Sequence, residues 1–170
     1  MPAKTLPLTA GLILASGPAL AGGLSFAVTL PEIEAAPYYR PYLAAWVEDE
    51  AKAVQGTAAV WYDTRLKNNI GTTFLRELRS WWRATGKTLE MPADGITGPT
   101  RPPGRHEVVL EASHPALAGL EPGNYVLAVE VTREDGGRDL LRAPFTWGGA
   151  GTAEAVGEGE ITALSVTTTP

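Results

Sequence analysis

The chain of 170 residues contains no cysteine and only two histidines. Without cysteine it cannot form a disulfide, an iron–sulfur ligand set, a c-type haem attachment or a thiol nucleophile. His106 and His114 cannot supply a three-histidine metal site, and we expect both at the rim of a strand without a metal. Basic residues are also few, 14 Lys and Arg against 19 Asp and Glu, so the net charge of −5 argues against a nucleic-acid partner. No serine stands in a nucleophile-elbow pattern, so we predict no catalytic residue.

The first 21 residues have the pattern of a secretory signal peptide. Lys4 supplies one positive charge, residues 6–15 are apolar and uncharged, and Ala19 and Ala21 fit a small-x-small cleavage site. The apolar stretch is shorter than the roughly 20 residues that a membrane helix needs. We therefore predict export to the periplasm with cleavage after Ala21. Residues 22–170 would then form a single domain that does not span a membrane.

Short segments of alternating polarity, separated by Gly and Pro turns, predict β-strands along most of this domain. Strands are expected over residues 24–30, 42–47, 58–62, 106–111, 124–132, 139–145 and 160–166. We expect 42–47 to pair with 58–62, and 124–132 to form a hairpin with 139–145. The Gly-rich acidic stretch 148–159 is expected to be a loop. About seven or eight short strands with one inserted helix indicate an antiparallel, all-β sandwich.

Residues 73–84 change to the period of an α-helix. The apolar side chains that share one face of this helix are Phe74, Leu75, Leu78, Trp81 and Trp82. A threonine, Thr72 or Thr73, is expected to cap its N-terminus, and Gly86 to end it. We expect the helix to lie across a sheet and to bury both tryptophans there.

A cluster of tyrosines precedes the second predicted strand. Tyr38, Tyr39, Arg40 and Tyr42 lie among prolines. These side chains are expected either to pack on the end of the sandwich or to offer a surface to a partner, and the sequence leaves both readings open.

The segment 86–105 contains four prolines and four glycines in 20 residues. This composition excludes a regular element of any length, and long loops in compact domains are usually functional or disordered. We therefore expect loop 86–105 to extend into solvent, with the hydroxyl of Thr100 accessible to another protein.

Several separated segments of the chain resemble one family of predicted periplasmic bacterial proteins of unassigned function. These segments are residues 39–47, 75–82, 94–105, 122–125 and 130–134. Members of that family are immunoglobulin-like in their C-terminal half, where they are similar to a flagellar hook-capping scaffold domain. The resemblance therefore implies an immunoglobulin-like β-sandwich, with the inserted α-helix at about 73–84 here.

The loop also contains Asp94-Gly-Ile-Thr-Gly-Pro-Thr100, which is similar to a motif for covalent attachment of FMN. That motif, Asp-x-x-Ser/Thr-Gly-Ala-Ser/Thr, occurs in the FMN-carrying subunits of the sodium-pumping NADH:quinone reductase and of the Rnf electron-transport complex. A flavin transferase attaches FMN to its last hydroxyl. Asp94, Thr97, Gly98 and Thr100 match the motif, so the resemblance implies that Thr100 is the acceptor.

Pro99 departs from this motif, since it stands where the motif has alanine. Proline lacks an N–H, fixes its own φ and favours extended geometry at the preceding Gly98. Arg101 follows the acceptor directly and is expected to pair with the FMN phosphate. The aromatic ring that stacks on the isoalloxazine is expected to come from Trp81, Trp82 or Tyr62.

Two functions of different classes follow from these residues. In the first, the protein is an exported electron carrier with FMN on Thr100. A flavin transferase modifies it and a membrane reductase exchanges electrons with it, so the protein is not itself an enzyme. In the second, the motif residues form an ordinary turn. The protein is then an immunoglobulin-like binding or scaffold module without a cofactor, whose loop 86–105 contacts a protein partner.

Overall fold

The structure, a computed structural model, describes residues 22–170 of the chain. The predicted signal peptide, residues 1–21, lies outside the described residues. Nine strands lie within the described part and form two sheets. In chain order the strands are β1 (Gly23–Leu30), β2 (Tyr42–Asp49), β3 (Val54–Tyr62), β4 (Thr97–Pro99), β5 (Gly104–Glu111), β6 (Gly123–Thr132), β7 (Arg138–Trp147), β8 (Gly151–Val156) and β9 (Ala163–Thr169).

The two sheets pack around a common apolar core. One sheet has the strand order β5-β1-β9-β8, and the other has the order β4-β3-β2-β6-β7. The strand pairs are antiparallel except for β3 and β4, which are parallel. Because alternate residues of a strand point to the same face, side chains such as Phe26 and Val28 of one sheet and Leu43 and Val129 of the other meet in one buried cluster. The prediction of an all-β sandwich is therefore confirmed.

Both predicted strand pairs are confirmed, since β2 pairs with β3 and β6 pairs with β7. The expectation of a loop over 148–159 is wrong, because Gly151–Val156 forms β8 at the edge of the four-stranded sheet. Ala153 and Ala155 pack against the core, while the other residues of β8 are exposed. The last strand begins at Ala163 and not at residue 160, because Glu160 is held in an ion pair before the strand.

A helical layer covers the outer face of the five-stranded sheet. It consists of a 3₁₀ segment (Lys67–Glu77), helix α1 (Arg79–Ala84) and a 3₁₀ turn (Gly86–Thr88). Leu75, Leu78 and Trp81 are fully buried in a second apolar cluster with side chains of the sheet. Because β2 is thereby covered on both faces, its residues 43–48 are all buried.

The prediction of one α-helix over 73–84 is wrong in its first half, since only Arg79–Ala84 is α-helical. Leu78, with φ −76° and ψ 70°, interrupts the helical backbone before α1. The N-terminus of α1 is capped from another element, since the carboxylate of Glu130 on β6 accepts the N–H groups of Ser80 and Trp81. A contact across a sequence separation of about 50 residues cannot be read from local capping patterns.

The apolar side chains of this region are buried unequally. Trp81 is fully buried as predicted, but Trp82 is only partly buried. Phe74 is 44% exposed, so its expected place in the buried face is wrong. The reason is that the backbone is 3₁₀ over Lys67–Glu77 and is interrupted at Leu78, so Phe74 does not share a face with Leu78 and Trp81 as it would in one continuous α-helix.

Candidate functional site

The motif segment 94–100 lies along the edge of the five-stranded sheet. Its residues 97–99 form β4, which pairs in parallel with β3. The N–H of Thr100 then donates to the carbonyl oxygen of Tyr62 at 3.2 Å. Pro99 is compatible with this strand because a proline can occupy a sheet edge, where one side of the strand has no partner. The expectation that this part of loop 86–105 extends into solvent without a regular element is therefore wrong.

Thr100 is buried, with 7% of its surface exposed, so the expectation that its hydroxyl is accessible to another protein is wrong. The residue instead lines a large cleft. The cleft has a volume of about 980 Å³, at the upper end of the ~300–1,000 Å³ that small-molecule sites occupy. Its walls come from residues 38–42 at the start of β2, from residues 63–79 at the helical layer and from the turn between β6 and β7. Thr100 thus borders a site that is assembled from distant parts of the sequence.

The other matched motif residues do not line this cleft. Asp94 is exposed in the turn that precedes β4. Thr97 Oγ1 accepts the N–H of Ala93 at 2.8 Å, so this hydroxyl supports the backbone of the turn. A Cβ atom on Gly98 would lie 3.1 Å from Cδ1 of Trp61, so β4 packs closely on that ring. The motif residues are therefore neighbours along one edge, but they fix the position of the chain and do not converge on one point.

Arg101 and the predicted stacking rings also lie elsewhere. The exposed Arg101 guanidinium lies over the ring of Trp61, 5.2 Å from its centre, in a cation–π contact. Tyr62 and Trp81 are 1% and 0% exposed, so the expectation that either stacks on a flavin is wrong. Trp82 is partly buried against the second apolar cluster. The structure does not bring these four side chains to the cleft wall.

The cleft is lined by aromatic and basic side chains that were not assigned to a site from the sequence. The aromatic residues are Tyr38, Tyr39, Tyr42 and Phe74, and the basic residues are Arg40, Arg65, Arg76, Arg79, Arg133 and Arg138. The tyrosine cluster at 38–42 is the one signal for them in the sequence, and it does not by itself determine the role of these side chains. Periodicity describes one element at a time, so it cannot show that three distant segments share a cleft.

Two of these arginines are committed to ion pairs with buried carboxylates. Arg133 forms a bidentate pair with Glu160, with two N–O distances of 3.0 Å, and both side chains are 7% exposed. Arg138 pairs with the fully buried Glu130 and donates to the Ser80 hydroxyl at 2.7 Å. Each pair places a cation on the cleft wall with its charge already balanced.

Burial and local hydrogen bonds set the protonation of other groups in the cleft. Desolvation raises the pKa of Tyr42 and of Tyr38. In Tyr38 the positive charge of Arg133, 5.7 Å from the ring centre, opposes this rise in pKa. The backbone N–H of Arg65 donates to the Asp63 carboxylate at 3.0 Å and lowers the pKa of Asp63. At neutral pH Tyr38 and Tyr42 are therefore neutral and Asp63 is ionised.

The two histidines lie near the motif segment at different points. His106 Nε2 is 2.7 Å from the carbonyl oxygen of Pro102 and its ring contacts Trp61 edge-on. His114 Nε2 is 3.2 Å from the carbonyl oxygen of Gly95. Within residues 22–170, no group of three or more His, Asp or Glu side chains has an arrangement that could hold a metal ion. In the same part of the chain, no helix is long and apolar enough to cross a membrane.

The described residues form an all-β protein, a two-sheet β-sandwich with a helical layer on one sheet. Its large cleft, between the helical layer and the β6–β7 turn, is the candidate ligand site. The chain belongs to DUF2271, a family of predicted periplasmic proteins, whose family model matches residues 23–163. The predicted resemblance to a periplasmic family and the predicted location are thereby confirmed. A search of curated proteins and a search of solved structures each found no match to the chain.

Proposed function

We propose that this periplasmic protein is an electron carrier that holds FMN through a phosphoester on Thr100. The observation that carries the proposal is that Thr100, the acceptor position of the matched motif, lines a cleft of about 980 Å³. A flavin transferase forms the phosphoester and a membrane reductase exchanges electrons with the carrier, so the protein itself is not an enzyme. A bound FMN would supply one- and two-electron transfer, which none of the amino-acid side chains of this chain supplies.

The residues of the cleft fit an FMN phosphoester. The N–H of Thr100 donates a hydrogen bond to the carbonyl oxygen of Tyr62, so the backbone of the acceptor residue is fixed at the wall of the cleft. Arginines on the same cleft match the charge and geometry of a phosphate. Tyr39 and Phe74, which are 37% and 44% exposed, offer open aromatic surface to an isoalloxazine ring. In this arrangement the chain binds and orients the cofactor, and Arg101, which lies over the Trp61 ring, does not contact the phosphate.

The burial of Thr100 restricts how a transferase reaches it. In the transfer, the threonine oxygen bonds to the flavin-side phosphorus of FAD, the pyrophosphate bond breaks, AMP leaves and the hydroxyl proton goes to the solvent or a base. Because Thr100 is only 7% exposed, its hydroxyl reaches the active site of the transferase only if the backbone around it moves. Because β4 has three residues and a single neighbouring strand, opening this edge exposes Thr100 without disrupting the core.

Co-expression with a flavin transferase tests the proposal. The mature protein is expected to show flavin fluorescence in a denaturing gel, and Thr100→Ser is expected to keep it because the hydroxyl remains. Thr100→Ala is expected to lose the fluorescence, whereas Thr132→Ala is expected to keep it, since Thr132 lines the same cleft outside the motif. An unlabelled wild-type protein, in cells where the transferase labels a second substrate, would contradict the proposal.

The alternative function is a cofactor-free immunoglobulin-like binding or scaffold module, as the resemblance to a hook-capping domain implies. It is favoured by the exposure of much of loop 86–105, including Lys87, Glu90, Asp94 and Arg101, which a protein partner could contact. The same gel distinguishes the two functions, because a module of this kind carries no flavin under any of these conditions.

A further inference from the structure

One side of the cleft carries two aromatic side chains that remain exposed in the fold. Tyr39 and Phe74 are large, exposed and on the cleft wall. They come from two different segments, the approach to β2 and the 3₁₀ segment. Large exposed apolar side chains that converge on one concavity are typical of a ligand site. The ring chemistry favours a flat, unsaturated ligand.

The same cleft has cations whose charge the fold balances only in part. Arg76 and Arg79 share one carboxylate, that of Glu77, at 3.7 and 3.8 Å, and each arginine side chain is 67% exposed. Among the residues that the structure describes, Arg40 forms no ion pair within 4 Å, although its charge acts on the Asp63 carboxylate of the same cleft. The part of the lining from residues 38–42 and 63–79 therefore holds four arginines (Arg40, Arg65, Arg76 and Arg79) against two carboxylates (Asp63 and Glu77), a local excess of positive charge that attracts an anion.

Acidic side chains restrict the kind of anion. Glu134 and Asp135 also line the cleft, on the turn between β6 and β7. This turn is a different wall from the one that carries Arg76 and Arg79. A ligand that is anionic along its whole length would be repelled at this turn, whereas a ligand with one phosphate and an uncharged ring system would not.

We propose that this cleft binds an aromatic monophosphate non-covalently, with its phosphate at Arg40, Arg76 and Arg79 and its ring at Tyr39 and Phe74. The inference rests on the proposed function for the identity of the ring, a flavin, but the binding does not require the Thr100 hydroxyl. It assigns to the cleft a set of contacts that hold the ligand independently of the covalent bond.

Titration of the mature Thr100→Ala protein with free FMN tests this inference, because this variant cannot form the phosphoester. We expect saturable binding by calorimetry and by quenching of flavin fluorescence, and binding of riboflavin, which lacks the phosphate, about tenfold weaker. Arg76→Gln with Arg79→Gln is expected to weaken FMN binding by about tenfold and riboflavin binding little. Tyr39→Ala is expected to weaken both ligands.

Arg83→Gln with Lys67→Gln is the matched control, since both residues are exposed on the helical layer but outside the cleft lining. This control is expected to bind FMN like its parent.

Equal affinity for FMN and riboflavin, or no saturable binding of FMN by a folded Thr100→Ala protein, would overturn the inference. If Thr100→Ala binds FMN while the wild type is never labelled, the inference stands and the proposed function fails. If the wild type is labelled on Thr100 but the variant does not bind FMN, the proposed function stands and the inference fails.

Discussion

Glu130 is the residue that ties the helical layer to the sheet. Its side chain is fully buried on β6, where it accepts the N–H groups of Ser80 and Trp81 and pairs with Arg138. Hydrogen bonds to an ionised group are stronger than neutral ones. One carboxylate thus caps α1 and holds a cleft arginine in place.

We predict that Glu130→Gln lowers the free energy of unfolding by about 2–3 kcal/mol, because the buried side chain loses its charge-assisted bonds and Arg138 loses its counter-ion. Urea unfolding followed by tryptophan fluorescence measures the change. Glu134→Gln, an exposed position after the same strand, is the control and is expected to change stability by less than about 0.5 kcal/mol. Equal effects of the two substitutions would show that Glu130 does not have this role.

The buried phenols predict a loss of stability at alkaline pH. Desolvation raises the pKa of Tyr42 and of Tyr62 in the folded protein, whereas the unfolded phenols ionise near about pH 10. The unfolded chain therefore releases these protons first, so stability is full below about pH 10 and falls as the pH rises through the folded pKa values.

Urea unfolding at about pH 9 and about pH 11 measures this fall, and Tyr42→Phe is expected to reduce it because the variant has one phenol fewer to ionise. A free energy of unfolding that is the same at both pH values would contradict the expectation.

Among the elements, β4 has the shortest run of strand residues and the closest connection to the site. Thr97→Ala removes the acceptor for the Ala93 N–H. We expect faster amide hydrogen exchange at residues 97–100 and faster flavin transfer to Thr100, with a global loss of about 1 kcal/mol or less.

Thr152→Ala is the control for this prediction. The Thr152 hydroxyl forms a hydrogen bond with Thr167 on the four-stranded sheet, so its removal should leave amide exchange at β4 unchanged. Exchange at 97–100 that is unaffected by Thr97→Ala would mean that this hydroxyl does not hold the edge.

The elements differ in how far the sequence determines them. The cores of β2 and β6 are continuous or alternating apolar runs, and both could be predicted with their partners. The strand β8 was missed because its inward residues are only alanines between glycines, so its alternation is weak. The strand β4 was missed because three residues with a proline satisfy no strand pattern, and their pairing with β3 is a tertiary contact.

At the scale of the whole molecule, β2 belongs to two apolar clusters. Leu43 and Ala45 face the core between the sheets, whereas Ala44 and Trp46 face the helical layer. Because one strand contributes to both clusters, we expect the sandwich and the helical layer to unfold in a single transition.

We predict that Leu78→Ala in the outer cluster and Leu164→Ala in the inner cluster each lower the free energy of the same transition by about 2–5 kcal/mol. Both side chains are 0% exposed. Ile70→Ala, at a position 48% exposed on the same helical layer, is expected to change stability little. Calorimetry of the variants checks this, and a separate early transition in Leu78→Ala alone would contradict the coupling.

The candidate site also depends on the whole molecule. The motif at 94–100 indicated Thr100 from the sequence, since it is a local pattern. The cleft that Thr100 borders could not be predicted from the sequence. Its walls are brought together only when the helical layer packs on the sheet near the β6–β7 turn. For the same reason Arg101, the neighbour in sequence, lies on Trp61, while Arg76 and Arg79, distant in sequence, lie on the cleft.

The most direct test of the account is the mass of the mature protein taken from the periplasm of its own bacterium, followed by peptide sequencing in the mass spectrometer. We predict an increase of one FMN less one water, located on the peptide that contains Thr100. A protein of unmodified mass from cells with an active flavin transferase, or a flavin located on any other residue, would contradict it.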